Sequence, residues 1–223
     1  IAKKHNARLH ILHLTTEAET HLFQNNIPLK EKKITTEVSV HHLWFSDKDY
    51  DQLGMLIKWN PAIKTEKDKK GLLKALLDDR IDILTTDHAP HTLEEKEQPY
   101  FQSMSGAPMV QHTLNCMLEF YKQGLISLEK IVEKMCHNPA ILYNMTNRGF
   151  IREGYYADLT LVDLSSQWTV TKDNLLYKCG WSPLEGTTFQ TAIKQTFVNG
   201  NLVYDNGTFN ENNFGMSIEF INN

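Results

Sequence analysis

The sequence predicts an α/β fold built on a parallel sheet and followed by an all-β tail. Three observations carry that prediction. Short apolar segments alternate with helical ones between residues 8 and 86, and apolar strands that alternate with helices belong to parallel sheets. Two longer helical stretches follow. From Gly149 the texture changes to strand residues separated by Gly-led turns.

The elements follow in order. RLHILHLTT (8–16) reads as a first buried strand. Thr16 and Glu19 have the spacing of a capping box, which predicts a short helix over 17–26 that Ile27-Pro28 breaks. ITTEVSVHHLWF (34–45) is rich in β-branched residues and predicts a second strand. A loop with Trp59-Asn60-Pro61 leads to an amphipathic helix over 71–79. IDILTT (81–86) is a third buried strand that ends at Asp87. A polar loop (88–105) precedes a helix over 108–123, with Pro108 in its first turn and Gly124 as its stop. Ser127 caps the next helix. In the tail, AIKQTFVNGNLVYDNG predicts a hairpin turning at Asn199-Gly200. A boundary near 148–150 divides the chain into 1–148 and 149–223.

The 223 residues are 41% hydrophobic and 22% charged, with a net charge of −4. No basic stripe suited to phosphates is present, which argues against nucleic acid as the main partner. No apolar run reaches the roughly 18–20 residues that span a bilayer. The three scattered cysteines suit a reducing compartment, and no signal-peptide pattern opens the chain, so a cytoplasmic protein is expected. The chain opens on Ile1 and enters a strand by residue 9, so a piece of something longer is expected.

The sharpest chemical signal is TTDHAPH (85–91). A buried strand delivers Asp87 at its carboxyl end, followed by two histidines and a proline-stiffened turn. In parallel α/β folds active sites gather at that end, and a carboxylate there can bind a metal or take a proton. A capping aspartate with solvated histidines is the plain structural alternative. His13 lies near the carboxyl end of the first strand, either as a ligand or as a packed core histidine. His41 and His42, adjacent on a predicted strand, face opposite ways, so at most one looks into a site. Asn60 can read an amide edge as donor and acceptor, though Asn-Pro is commonly only a turn. Gly106 permits close backbone approach at the start of the predicted 108–123 helix.

In this order, HILHLTT, EVSVHHLWF, an Asn-Pro loop, TTDHAPHTLEEK and GYYADLTLVDL resemble the carboxyl-terminal half of a dihydroorotase of the amidohydrolase superfamily, from about residue 8 to 205. The Asp-X-Ala-Pro-His stretch followed by Lys96 is the most specific part. The resemblance implies a partial (β/α)8 TIM-type barrel, its last three strands, followed by part of a small β-sandwich. It implies one or two zinc ions, with His13 and Asp87 as metal ligands and Asp87 also as the catalytic proton carrier. Asn60, His91 and Gly106 match substrate-binding positions. Thr85 stands where the family has a small residue, and Asn60-Pro61-Ala62-Ile63-Lys64 stands where it has Asn-Pro-Pro-Leu-Arg. The family's His-X-His pair is absent from the 223 residues. Two ligands do not hold a catalytic zinc, which takes three protein ligands and an open position.

The reading that follows is a fragment of a zinc dihydroorotase, which interconverts dihydroorotate and N-carbamoyl-aspartate in pyrimidine synthesis. It acts on a small molecule, and the chain is compatible with a homodimer. One alternative is another cyclic-amide hydrolase, an allantoinase or hydantoinase. His91 argues against that, because it suits a substrate bearing a carboxylate. Another is a non-catalytic dihydroorotase-like scaffold for a partner such as a transcarbamoylase. Three barrel strands alone would leave both sheet edges open, so poor solubility in isolation is expected.

Overall fold

The computed structural model describes residues 1–212 and 215–221. Strands β1 (Leu9–Ile11), β2 (Ile34–Ser39) and β3 (Ile83–Thr85) lie side by side in that order, all parallel. Leu9 pairs with Ile34 and Glu37 with Ile83. Parallel neighbours need a crossover, and the longest one here contains the helix Glu66–Leu77, which starts at a Thr65/Asp68 capping box. The Thr16/Glu19 capping box is also present, but the helix it opens covers only Glu17–Thr20.

β2 shows why the sheet is polarised between its faces. Val38 joins one apolar cluster with Leu72, Ala75 and Leu76 of the 66–77 helix, and with Leu14, Ile81 and Leu118. The alternate residues Thr35, Glu37 and Ser39 are buried but polar. They find partners across the sheet. His10 bonds Thr35 Oγ1 at 2.9 Å and Glu37 Oε2 at 3.0 Å, and Thr85 Oγ1 donates to Glu37 Oε1 at 3.1 Å. Thus one face of β2 carries buried polar residues, where the sequence predicts an apolar strand, although Ile83 of β3 keeps an apolar residue beside Glu37. β1 is also less buried than expected, because it has β2 on one side only. Leu9 is 40% exposed and Leu12 54%.

Two further elements depart from expectation. The second strand stops at Ser39 and the chain coils into a helical turn, Val40–Trp44. Ser39 pairs with Thr85, the last residue of β3, so no ladder remains to extend the strand. The helix expected over 108–123 begins instead at Thr113 and runs to Lys122. The backbone before it is committed elsewhere: Met109 and Val110 N–H donate to His88 Nδ1, and Gln111 N–H donates to Tyr177 Oη. Pro108 therefore does not occupy a first helical turn.

The helix after Ser127 is interrupted by a π turn, Glu133–His137, between Leu128–Val132 and Asn138–Leu142. Within that turn, Lys134 is buried and reaches Ile81 O at 2.7 Å and Asp79 Oδ1 at 2.8 Å. Lys32 and Asp82 form a buried ion pair at 2.6 Å, and Asn138 donates to Asp82 O. These bonds pin the start of β3.

The tail contains β4 (Leu159–Asp163), β5 (Trp168–Thr169), β6 (Thr188–Phe189), β7 (Ala192–Val198), β8 (Asn201–Asp205) and β9 (Thr208–Phe209). An antiparallel sheet runs β4-β7-β8-β9, and β5 pairs with β6. Asn199 and Gly200, at φ 53° and 82°, make the tight β7–β8 turn, which needs left-handed backbone at both positions. The fold is thus α/β, with a partial barrel-like core and an additional β-sheet. No helix among the described residues is long and apolar enough to cross a membrane.

Candidate functional site

The candidate residues gather where the three parallel strands end. His13 lies two residues past β1 and Asp87 two past β3. Both hold left-handed backbone, His13 at φ 34° and Asp87 at φ 43°. The other non-glycine residues in that region are all Asn or Asp, which tolerate it through local hydrogen bonds, so His13 stands apart. Such a conformation costs on the order of 1–3 kcal/mol and persists only where its surroundings enforce it. At β1 the next residue is anchored, with Leu14 N–H donating to Glu37 O at 2.9 Å.

Asp87 is half-buried. Burial pushes its carboxyl above the ordinary value, His13 opposes that shift, and the Glu37 carboxylate adds to it. His41 Nε2 lies 3.8 Å from Asp87 Oδ2, a contact longer than a hydrogen bond. The His41 ring is fully buried and stacks on the Trp59 indole, with centroids 4.1 Å apart and planes 4° apart. Among the described residues neither of its nitrogens has a partner in good hydrogen-bond geometry, though the Thr86 backbone lies beside the ring. Burial holds its pKa well below the ordinary value, with His42 and His13 contributing, so the ring is neutral. His42 turns to the neighbouring loop instead and donates from Nε2 to Pro61 O at 3.0 Å. Burial lowers its pKa to about 4. The helical turn Val40–Trp44 sets both positions, whereas strand geometry would have sent them to opposite faces. His13 lies near enough to the strand ends for its charge to act on Asp87, His41 and His42.

The expected substrate-binding residues line the adjoining loops. Asn60 is exposed and joined to Pro61 by a cis peptide. His91 donates from Nε2 to Ser105 O at 3.1 Å, and its own carbonyl accepts the Trp181 indole N–H at 2.8 Å. With His88 and Tyr177 it lines a cavity of about 500 Å³, which His13, Asn60 and Asp87 do not reach. His88 accepts two backbone N–H groups at Nδ1 and is committed to structure.

Gly106 lies not at a helix start but in loop backbone seven residues before Thr113, at φ 121°. A Cβ there would stand 2.5 Å from Ala89 O and 2.7 Å from Ala89 Cβ. Gly106→Ala is expected to destabilise the protein by roughly 2–4 kcal/mol, from positive φ plus overpacking against backbone. The midpoint of denaturant unfolding measures it, and an unchanged midpoint contradicts the close approach.

His and Asp are donor types that zinc accepts. Their number falls short: among the described residues, no group of three His, Cys, Asp or Glu is arranged to hold a metal. The residues present do not by themselves make a zinc site. The sequence offers His41 and His42 as a pair of which one faces the site, and the helical turn rather than a strand sets their positions. Glu37 is the member that sequence reasoning misses, although its alternation with Thr35 and Ser39 is visible.

Residues 2–203 match the amidohydrolase family. The chain belongs to that family. Among curated relatives, the dihydroorotase of Pyrococcus furiosus is 34% identical over 203 residues, which are 91% of this chain and 46% of that protein. The dihydroorotase of Pyrococcus abyssi is likewise 34% identical, over 92% of this chain and 48% of the other. The chain spans about half the length of the curated relatives it matches. Among solved structures, the L-hydantoinase of Arthrobacter aurescens superposes with a TM-score of 0.85 at 27% identity, over 93% of this chain and 47% of that one.

Proposed function

We propose that the protein carrying this chain is a zinc-dependent dihydroorotase, which hydrolyses dihydroorotate reversibly to N-carbamoyl-aspartate in the cytoplasm. The observation that carries the reading is the placing of His13 and Asp87, both in left-handed backbone, two residues past the ends of β1 and β3 on either side of β2, with the buried His41 ring 3.8 Å from the Asp87 carboxylate. His13 and Asp87 would supply two of the ligands of one or two zinc ions, and a zinc held there would supply Lewis acidity.

The chain's own part is proton transfer and orientation. Asp87 takes a proton from water as the water oxygen bonds to the ring carbonyl carbon. It returns that proton to the ring nitrogen as the C–N bond breaks. A carboxyl raised by burial is closer to the range in which it can both accept and release a proton. Asn60 reads the amide edge of the ring, the Gly106 backbone approaches it, and His91 binds the substrate carboxylate.

The test is turnover by the full-length protein on dihydroorotate and on hydantoin. Preference for dihydroorotate is expected. Hydrolysis of hydantoin alone overturns the reading in favour of the hydantoinase type, to which the Arthrobacter aurescens structure belongs.

His91→Ala separates binding from metal retention. A charge-assisted contact to a carboxylate contributes about 1.5–3 kcal/mol, so KM is expected to rise on the order of 10- to 100-fold. Zinc content should equal that of wild type. Loss of zinc would reassign His91 as a ligand.

A further inference from the structure

Lys96 closes the short helix Leu93–Lys96, and its side chain is fully buried. A buried ammonium ordinarily pairs with a carboxylate. Lys96 forms no salt bridge among the described residues and is held by three backbone carbonyls instead. Nζ donates to Lys58 O at 3.1 Å, Met104 O at 2.8 Å and Gly106 O at 2.8 Å. An ammonium has three donors and no acceptor, so this cage saturates it.

The three carbonyls come from the two loops that carry the proposed substrate contacts. Lys58 lies two residues before Asn60. Met104 and Gly106 flank Ser105, whose carbonyl accepts from His91. Lys58 O also accepts the Gly106 N–H at 2.9 Å, so one carbonyl joins both loops. Ser103 Oγ donates to Lys96 O at 2.9 Å, which ties the cage back to its own helix. The charge that faces the ammonium is that of Lys58, itself turned to Tyr100 O and Ser103 O.

We propose that Lys96 is a positioning residue, whose caged ammonium sets the Asn60 loop against the Gly106 loop and so fixes the shape of the substrate pocket. The inference rests on the reading of Asn60, His91 and Gly106 as substrate contacts. Burial and the nearby Lys58 lower the Lys96 pKa to about 8, which agrees with a cage holding no counter-ion.

The test uses Lys96→Met and Lys96→Gln in the full-length protein. Glutamine keeps two donors and is the milder change. Steady-state kinetics on dihydroorotate should show KM raised at least tenfold with kcat within about threefold, and zinc content unchanged, because loops that only bind affect ground and transition states alike. Amide hydrogen exchange supplies a second readout. The Gly106 N–H should exchange at least tenfold faster in the variants, while Val38 and Leu84 N–H remain as in wild type. Equal acceleration at all three amides, unchanged exchange at Gly106, unchanged KM, or failure of both variants to fold overturns the positioning role. If wild type itself turns over no dihydroorotate, the functional reading fails, and the exchange measurement still decides whether Lys96 ties the loops.

Discussion

Asp87→Asn in the full-length protein is expected to abolish measurable turnover while leaving the fold in place. The substitution is nearly isosteric, and Asp87 makes no hydrogen bond through its carboxylate among the described contacts, so little packing is lost. What disappears is basicity. An amide oxygen coordinates weakly and does not take a proton at neutral pH. Loss of a general base costs on the order of 10²- to 10⁴-fold in rate, and a weaker metal ligand adds to that. Circular dichroism and a denaturation midpoint within about 1 kcal/mol of wild type would establish that the fold survives, the usual range for a change that buries no new polar group. Turnover within a few-fold of wild type would remove Asp87 from the proton path.

Residues 1–223 expressed alone are expected to show no zinc-dependent turnover of dihydroorotate or N-carbamoyl-aspartate. A catalytic zinc takes three protein ligands and an open position. On the proposed reading His13 and Asp87 supply two, and His41, beside Asp87, is a candidate for a third. Its Nε2 lies 3.8 Å from Asp87 Oδ2 with no partner in good hydrogen-bond geometry among the described residues, so the prediction is not trivial. Against it, the ring is clamped face to face on Trp59, and the described residues contain no three-ligand group. Water also reaches the exposed side of a partial barrel and screens the charge stabilisation that hydrolysis requires. Chelator-sensitive turnover that Asp87→Asn removes would show that His41 completes a minimal site.

Local signals carried much of the fold. The Thr16/Glu19 box and the Asn199-Gly200 turn each act within a few residues, and both appear in the structure. The strand–helix–strand alternation was equally readable, as was the placing of His13 and Asp87 after parallel strands. What escaped depends on partners distant in sequence. VSVHHLWF has the composition of a strand, yet its ladder ends because β3 ends, and only the sheet register reveals that. The late start of the Thr113–Lys122 helix follows from bonds to His88 and Tyr177, 21 and 66 residues away. The left-handed backbone of His13 has no local sequence mark at all, since histidine is a poor choice for it.

The ion pair of Lys32 with Asp82 and the reach of Lys134 to Ile81 secure one end of the sheet, while the strained His13 and Asp87 occupy the other. Such an arrangement lets sequence drift act on the two ends separately. Substitutions among the loops at the strained end can alter that surface without loosening the anchors, and substitutions among the anchors cost stability without altering it. A lineage built this way can diverge in chemistry while its backbone stays superposable.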